Sequence, residues 1–242
     1  MIELRGVSFG YEPGSPVLSD ITFSIAPGES VGLIGENGAG KTTLMRLCLG
    51  LLSPQAGEIR VADIPVRKDT LKEVRRKAGL LLQNPDDQLF MSKVREDLTF
   101  GPRNYMASPE EAEARADAAL AQLGISALKD RYNHTLSGGE ARMAAIAVVL
   151  AMDPEVLFMD EPTAALDPGN RRRVINAVKD LPQTRLIASH DLDMVLDTCS
   201  RVILLSRGRL AADGPAREVL RDKALLEENG LELPLSLQGM RE

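Results

Sequence analysis

A glycine-rich run near the start of the chain has the residue types of a phosphate-binding loop. The run reads GENGAGKT and matches the pattern G-x-x-x-x-G-K-[ST], between a short apolar segment and a helical one. Its small residues let the backbone curl until successive N–H groups point at phosphate oxygens, and the following helix adds positive potential. Lys41 supplies a cation for the β and γ phosphates, and the Thr42 hydroxyl can ligate Mg²⁺. The predicted phosphate contacts are Gly35, Glu36, Asn37, Gly38, Ala39, Gly40, Lys41, Thr42 and Thr43.

Two adjacent acids later in the chain could complete a metal and hydrolysis site. Four apolar residues, VLFM, precede Asp160 and Glu161, as in a buried strand that ends in charge. There Asp160 could hold Mg²⁺ through water, while Glu161 could orient or deprotonate a water that attacks the γ-phosphate. Adjacent acids are also common on surfaces, so this prediction depends on the phosphate-binding loop that precedes them.

A second segment has the features of an anion-binding helix start. It reads LSGGE and is followed by the apolar run ARMAAIAVVLAM. A helix N-terminus offers unpaired N–H groups and a positive dipole to an anion. The alternative interpretation is that Ser137, Gly138 and Gly139 form only a turn and a helix cap.

These motifs are separated by alternating strand and helix patterns. Strands are predicted over 2–9, 21–25, 30–35, 58–61, 79–82, 155–160 and 184–189, helices over 41–52, 169–180 and from 191, a hairpin over 201–212 and a short helix over 215–222. A helix-rich insert covers 88–133, where Ser108, Pro109 and Glu111 predict a helix start with a capping box. The alternation predicts a mostly parallel sheet covered on both faces, with the insert as a second lobe.

Composition limits the classes of function. The chain has 242 residues, a formal net charge of -6 and a pI of about 5.2, which argue against a basic nucleic-acid binder. Its two cysteines, Cys48 and Cys199, lie in apolar stretches and are expected to be buried core residues rather than disulfides or metal ligands. The N-terminus reads as a strand, and the longest apolar run, 144–152, is far short of the roughly 20 residues that a membrane helix needs. We therefore expect a soluble chain that something else must hold at any membrane where it acts.

The motifs in order resemble those of the nucleotide-binding subunits of ABC ATPases. GENGAGKTT, LLQNPDD, LSGGE, FMDEPTAALDP and IASHD follow one another at plausible separations, and the resemblance covers about residues 2–220. It implies an α/β P-loop NTPase fold of ABC type, with a mostly parallel core sheet, an antiparallel β region and a helical subdomain. The whole chain, 1–242, would be one ABC ATPase domain, with a core lobe over 1–87 and 155–222, a helical signature lobe over 88–154 and a short tail over 223–242.

The resemblance also explains why one chain carries two phosphate-binding helix starts. In ABC ATPases two subunits face each other head to tail, and each ATP lies between the phosphate-binding loop of one and the LSGGQ-like segment of the other. Ser137, Gly138 and Gly139 would thus contact the nucleotide of a partner, either an identical chain or a close homologue. Asp167 matches the loop aspartate that crosses the dimer interface.

Further residues match family positions around the nucleotide. Tyr11 stands where an aromatic stacks on adenine, although a strand-end aromatic packed on the core is the alternative, and Val17 would touch the same base. Gln83 would reach Mg²⁺ and the attacking water, and His190 matches the histidine that contacts the γ-phosphate. The resemblance thus implies ATP and Mg²⁺ as cofactors, catalytic roles for Glu161, His190 and Gln83, and metal contacts from Thr42, Gln83 and Asp160.

Two positions depart from the family pattern. Glu140 replaces the commoner glutamine. Met143 stands where an arginine is expected, with Arg142 beside it, and a shift of one residue rotates a helical side chain by about 100°. The polar contacts at this helix start are therefore left open.

The run LLQNPDDQLFMSKVREDLTFGPRN and the tail LLEENGLELP closely resemble ATPase subunits of energy-coupling factor importers, especially of the cobalt and nickel type. That resemblance implies a peripheral protein on the cytoplasmic face of the membrane. Its partners would be a membrane-embedded coupling subunit and a small substrate-binding membrane protein, with no nucleic acid. The coupling surface would cover 84–104, where Gln88, Leu89 and Phe90 would line a groove for a helix of the membrane subunit. Rotation of the lobes on ATP binding would transmit force to that helix through the groove. The alternative is that Leu89 and Phe90 close the core of the small lobe.

Three other functions are weighed against a cobalt or nickel importer. The first is an energy-coupling factor importer for a vitamin. The second is a soluble ABC ATPase that remodels nucleic acid, which the acidic pI and the 3% of aromatic residues disfavour. The third is a nonenzymatic regulator that uses ATP only to dimerise, which the presence of Glu161 and His190 disfavours.

Overall fold

The predicted alternation of strands and helices is present in a computed structural model, which describes residues 1–105 and 108–239. The strands are β1 (Ile2–Phe9), β2 (Leu18–Ile25), β3 (Ser30–Ile34), β4 (Ala56–Val61), β5 (Ile64–Pro65), β6 (Ala78–Leu81), β7 (Val156–Asp160), β8 (Thr184–Ala188), β9 (Arg201–Ser206) and β10 (Arg209–Pro215). The helices are α1 (Lys41–Cys48), α2 (Leu71–Lys77), α3 (Val94–Tyr105), α4 (Pro109–Gln122), α5 (Gly138–Leu150), α6 (Pro168–Lys179), α7 (Leu192–Thr198), α8 (Ala216–Val219) and α9 (Lys223–Glu228).

A six-stranded sheet forms the centre of the molecule. Its strand order is β10-β9-β3-β8-β7-β6, and every neighbouring pair is parallel except β10 with β9. Strand β3 lies between β8 and β9, two strands that come much later in the chain. A second sheet of four antiparallel strands has the order β2-β1-β4-β5. Both the mostly parallel core sheet and the antiparallel region are therefore confirmed.

Alternating side chains of the central strands enter two separate hydrophobic clusters. Phe158 and Leu186 pack with the antiparallel sheet and α1 in one cluster. Leu157 and Ile187, one position along the same strands, pack with α5, α6 and α7 in the other. Successive strand residues face opposite sides of a sheet, so this pattern shows that the central sheet is covered on both faces, as predicted.

Some local predictions were wrong, each for an identifiable reason. Helix α1 ends at Cys48 rather than at residue 52, because Gly50 has a left-handed backbone (φ 60°) and redirects the chain. Helix α2 was missed because only Val74 of its seven residues is buried, which leaves no apolar stripe to detect. At the start of α4 the Ser108 Oγ accepts from the Glu111 N–H, but the Glu111 carboxylate pairs with Arg115 instead of completing the box.

Two composition-based expectations concern the interior and the membrane. Cys48 and Cys199 are buried free thiols, as expected, and burial raises the pKa of Cys48 to about 12. Within residues 1–105 and 108–239, none of the helices has both the length and the apolar character needed to cross a bilayer.

Candidate active site

The carboxyl ends of three neighbouring parallel strands meet at one large cleft. Strand β3 leads into the glycine-rich loop, β7 ends at Asp160, and β8 leads to His190. Ligands of open α/β sheets bind at this edge. The cleft has a volume of about 840 Å³ and is lined by Tyr11, Val17, Asn37, Gly38, Ala39, Gly40, Lys41, Thr42, Thr43, Gln83, Asp160, Glu161, Thr163, Ala164, His190 and Asp191.

The glycine-rich loop wraps around the ammonium group of Lys41. Lys41 Nζ donates to the carbonyls of Gly35 at 2.7 Å and Glu36 at 3.0 Å, and it lies 3.3 Å from His190 Nε2. Gly40 has φ 106° immediately before α1, a backbone conformation that residues with a side chain rarely adopt. Burial lowers the pKa of Lys41, an effect that the nearby carboxylates oppose. The loop thus places a cation at the N-terminus of a helix, where anions bind favourably.

A hydroxyl and a carboxylate lie together in the cleft where a divalent cation is expected. Thr42 Oγ1 donates to Asp160 Oδ2 at 2.8 Å, and the Gln83 side chain lines the same cleft. These are hard oxygen donors of the kind that Mg²⁺ prefers. Within the described part of the chain, no group of three or more His, Cys, Asp or Glu residues could hold a metal ion. The donor set therefore fits a Mg²⁺ ion that takes its remaining ligands from nucleotide phosphates and water.

Glu161 is held so that one carboxylate oxygen remains free. Its backbone is left-handed (φ 48°) and its N–H donates to Ala188 O at 2.9 Å. Oε2 accepts from the Ser189 hydroxyl at 3.3 Å and from the His190 N–H at 3.2 Å. Oε1 is buried without a hydrogen-bond partner and lies 3.5 Å from His190 Nε2. An acceptor oxygen without a partner at the edge of a polar cleft is suited to bind and deprotonate a water molecule.

Tyr11 combines the features of both earlier interpretations. Its ring contacts Phe9 edge-on with centroids 5.0 Å apart, and its hydroxyl lies 3.1 Å from Thr43 Oγ1. Yet 57% of the side chain is exposed at the cleft, so a ring face is available for stacking. Val17 lines the cleft as well. Adenine contact by both residues stays a prediction.

Six predicted binding residues do not line the cleft: Gly35 and Glu36, whose carbonyls accept from Lys41 Nζ, and Ser137, Gly138, Gly139 and Asp167, which lie elsewhere. Ser137 and Glu140 form a complete capping box, with Ser137 N–H donating to Glu140 Oε2 at 2.8 Å and Glu140 N–H donating to Ser137 Oγ at 3.3 Å. The helix-cap interpretation of LSGGE is therefore correct as local structure. It does not exclude nucleotide binding, because the start of α5 remains exposed at Ser137 and Gly138. The separation from the cleft is what a contact to another chain's nucleotide requires.

The sequence analysis missed residues that line or support the cleft. Asp191 lines it and binds the Arg171 guanidinium through two hydrogen bonds of 2.5 and 2.6 Å. Asp191 also accepts from the Thr163 hydroxyl at 3.0 Å. Burial would raise the pKa of Asp191, but Arg171 holds it below its ordinary value. The signal for Asp191 in the sequence is its place directly after His190 in the motif IASHD.

Sequence comparison places this geometry in a family. A family model described as "ABC transporter" matches residues 18–164. A putative ABC transporter ATP-binding protein of Geobacter sulfurreducens is 47% identical over 239 residues, which cover 99% of this chain and 96% of the relative. An energy-coupling factor transporter ATP-binding protein, EcfA, of Methanothermobacter thermautotrophicus is 42% identical, with 97% of this chain and 77% of the relative covered.

Solved structures give the same result. CbiO1 of Clostridium perfringens, described as part of the ABC transporter complex cbiONQ, superposes with a TM-score of 0.84 at 34% identity, covering 98% of this chain and 97% of that one. The ATP-binding cassette MJ0796, solved as a dimer in a post-hydrolysis state with ADP and Pi, superposes with a TM-score of 0.79 at 26% identity, covering 90% and 99%. The chain therefore belongs to the ABC transporter family and is an ATP-hydrolysing ABC ATPase.

Proposed function

We propose that this protein is the ATPase subunit of an energy-coupling factor importer and that the imported substrate is a cobalt or nickel ion. The observation that carries the contact to a membrane subunit is an exposed aromatic pair, Phe90 and Phe100, in the segment that follows Gln83, and the proposed substrate rests on similar proteins. The names of two similar proteins support it, since one relative is called EcfA and one structural neighbour belongs to a cbiONQ complex.

ATP hydrolysis would use the residues gathered in the cleft. The loop N–H groups and Lys41 would bind the β and γ phosphates, and Thr42 and Asp160, with Gln83, would hold Mg²⁺. When bound, that ion neutralises charge that develops on the phosphates. Glu161 takes a proton from the attacking water through its free Oε1, and His190, 3.5 Å away, orients the same water toward the γ-phosphate. The products are ADP and inorganic phosphate.

Two chains would share each nucleotide. The start of α5 and Asp167 lie outside the cleft of their own chain, so they are available to a nucleotide that a partner binds. The neighbour MJ0796 was solved as a dimer with ADP and Pi, which supports a dimer as the nucleotide-binding form. ATP then acts as a ligand of the dimer, which it stabilises by mass action until hydrolysis removes it.

The coupling surface that we propose is narrower than the predicted range 84–104. Leu89 is buried in the core, and the Gln88 side chain bonds to the backbone of Leu80 and Leu82. Phe90 and Phe100 are 59% and 45% exposed, and their rings meet edge-on with centroids 5.1 Å apart. We propose that this aromatic pair receives an apolar helix of the membrane subunit, because exposed aromatic anchors commonly carry the binding energy of such contacts.

The buried carboxylate of Asp97 holds the aromatic pair in place. Its Oδ1 accepts from the N–H groups of Phe90 and Met91, each at 3.1 Å, and its Oδ2 accepts from Asn133 Nδ2 at 2.6 Å. Asp97 is only 2% exposed, so these bonds are shielded from water. The aromatic pair is therefore preorganised, which lowers the entropy cost of binding a partner helix.

Purification from the native host tests the importer. The tagged chain is isolated from gently solubilised membranes, the proteins that accompany it are identified by mass spectrometry, and the eluate is analysed for metals. We expect a polytopic membrane protein, a small membrane protein and bound cobalt or nickel. Recovery of a vitamin instead of a metal would refute cobalt or nickel as the substrate but keep the importer. Recovery of soluble partners or nucleic acid alone would refute a role in transport. Phe90→Ala combined with Phe100→Ala should lose these membrane partners, whereas the matched control Leu235→Ala, which changes a residue that is 78% exposed in the C-terminal segment, should keep them.

A further inference from the structure

A buried arginine on α5 binds the loop that carries Gln83. Arg142 is 1% exposed and is among the largest fully buried side chains of the described residues. Its Nη1 donates to Leu82 O at 2.8 Å, and its Nη2 donates to Gln83 O. Its Nε is buried without a partner. An arginine is costly to bury, so a buried one calls for a reason beyond packing.

The loop that Arg142 holds is also held by the 3-10 turn Pro85–Asp87, which packs on α5, and by hydrogen bonds at its base. There Gln88 Oε1 accepts from Leu82 N–H at 3.0 Å and Gln88 Nε2 donates to Leu80 O at 3.2 Å, which extends the hydrogen bonding of β6. The carbonyls of Leu82 and Gln83 are both bound by Arg142, and Gln83 also lines the nucleotide cleft. The position of Gln83 in that cleft therefore depends on where α5 lies.

The other end of the connection is the LSGGE segment. Arg142 follows Gly138 by about one helical turn, and the capping box of Ser137 and Glu140 makes the start of α5 rigid. Met143 is buried in the core at 4% exposure, and the polar contact from this part of α5 to the loop is made by Arg142. A second cleft of about 480 Å³ is lined by Gly138, Gln83 and Arg142, and also by Thr42 and Asp160 of the nucleotide cleft.

We propose that Arg142 is a positioning residue that links the two ATP sites of the dimer. Through Gln83 it contacts the site of its own chain, and through α5 it sets the position of the exposed residues Ser137 and Gly138 at the partner's site. The planar guanidinium fits two adjacent carbonyls in one geometry, so movement at either end is passed to the other. This inference rests on the shared-site dimer of the proposed function.

A second buried arginine provides a matched control. Arg185 on β8 is 6% exposed and donates to Val178 O at 3.0 Å, to Ser30 Oγ at 3.2 Å and to Leu181 O. Burial lowers the pKa of both arginines. Arg185 contacts neither the Gln83 loop nor α5 through these bonds, so its removal reports the general effect of losing a buried arginine.

The test compares ATP dependence in Arg142→Met, Arg142→Lys, Arg185→Met and Arg185→Lys. ATPase rates are measured against ATP concentration, and the Hill coefficient, kcat, KM and thermal midpoint are recorded. The wild type is expected to show a Hill coefficient above one and at most about two, the number of sites. Both Arg142 variants should bring it toward one, with lysine retaining part of the cooperativity. The Arg185 variants should lower the thermal midpoint and keep the Hill coefficient.

Each outcome decides a separate question. A cooperative wild type with an unchanged Hill coefficient in Arg142→Met would overturn the link. If that variant does not fold, an unchanged coefficient in Arg142→Lys has the same meaning. Loss of cooperativity in the Arg185 variants would also overturn it, because any buried arginine would then suffice. A wild type that is non-cooperative and works as a monomer would instead refute the shared-site dimer.

Discussion

Replacing Glu161 by glutamine should separate ATP binding from ATP hydrolysis. In the structure Glu161 Oε2 accepts from the Ser189 hydroxyl and the His190 N–H, and a glutamine oxygen can accept both bonds. The replaced atom, Oε1, lies 3.5 Å from His190 Nε2 and makes no hydrogen bond that the substitution could remove. Because the hydrogen bonds are kept, we expect the free energy of unfolding to change by no more than about 1 kcal/mol.

The effect on turnover should be far larger than the effect on stability. A glutamine cannot remove a proton from the attacking water, and a positioned general base contributes roughly 10²- to 10⁴-fold to a rate. That loss corresponds to about 2.7–5.4 kcal/mol in the activation barrier, at about 1.36 kcal/mol for each tenfold change. ATP in the variant should thus survive roughly 100 to 10,000 times longer, and the ATP-bound dimer should accumulate.

Two assays test this prediction together. Phosphate release at saturating ATP measures turnover, and gel filtration with light scattering in an ATP-containing buffer measures the dimer. The matched control is Glu155→Gln at the opposite end of β7, where the carboxylate is 59% exposed and pairs with Lys77 at 2.9 Å. Turnover of Glu161→Gln within about threefold of this control would refute the role of Glu161 as a base. Lost turnover without an ATP-dependent dimer would refute the separation of binding from hydrolysis.

Three further measurements test other parts of the reasoning. Specific activity of the purified chain should rise with protein concentration, because Ser137 lies outside its own cleft; constant specific activity without a pre-formed dimer would contradict shared sites. Phe90→Ala combined with Phe100→Ala should greatly reduce recovery of membrane proteins but leave ATPase activity of the isolated chain within about twofold, since surface substitutions have small effects; equal recovery would remove the aromatic pair from the interface. Finally, hydrogen bonds from Ser137 and the charge of Arg131 hold the pKa of Glu140 below its ordinary value of 4.5. Ionised Glu140 therefore stabilises the fold at pH values above 4.5, and this stabilisation is lost as the pH falls through the lowered pKa. Thermal midpoints of wild type and Glu140→Gln should therefore converge on acidification, and parallel curves would contradict this.

The site residues that directly follow a buried strand were the most predictable from the sequence. The loop before Lys41, the acids at 160 and 161 and the histidine at 190 each follow a short apolar run. Such runs indicate parallel buried strands, and parallel strands place their carboxyl ends at one edge. The three apolar runs, together with the rule that parallel strands end at one edge of a sheet, therefore sufficed to predict which residues meet in the cleft.

Contacts between distant side chains could not be predicted in the same way. The hydrogen bonds of Arg142 to the carbonyls of Leu82 and Gln83 span 60 and 59 positions of the chain. Helix periodicity indicated only that Arg142 and Met143 point about 100° apart, and both directions are buried. The split between buried Leu89 and exposed Phe90 likewise depends on how the segment packs on the helices, which local composition does not determine.

The strand order of the central sheet has a consequence for biosynthesis. The phosphate-binding sequence belongs to the first fifth of the chain, yet the strands that pair with β3 are β8 and β9, where Val31 meets Leu186 and Arg201. At ribosomal speeds of roughly 5–20 residues per second, those strands emerge about 10–30 s after Lys41. Until then β3 has neither neighbour, and the loop after it has no sheet edge on which to form. A nascent chain that stops before β8 thus contains a full phosphate-binding motif and no place to bind phosphate.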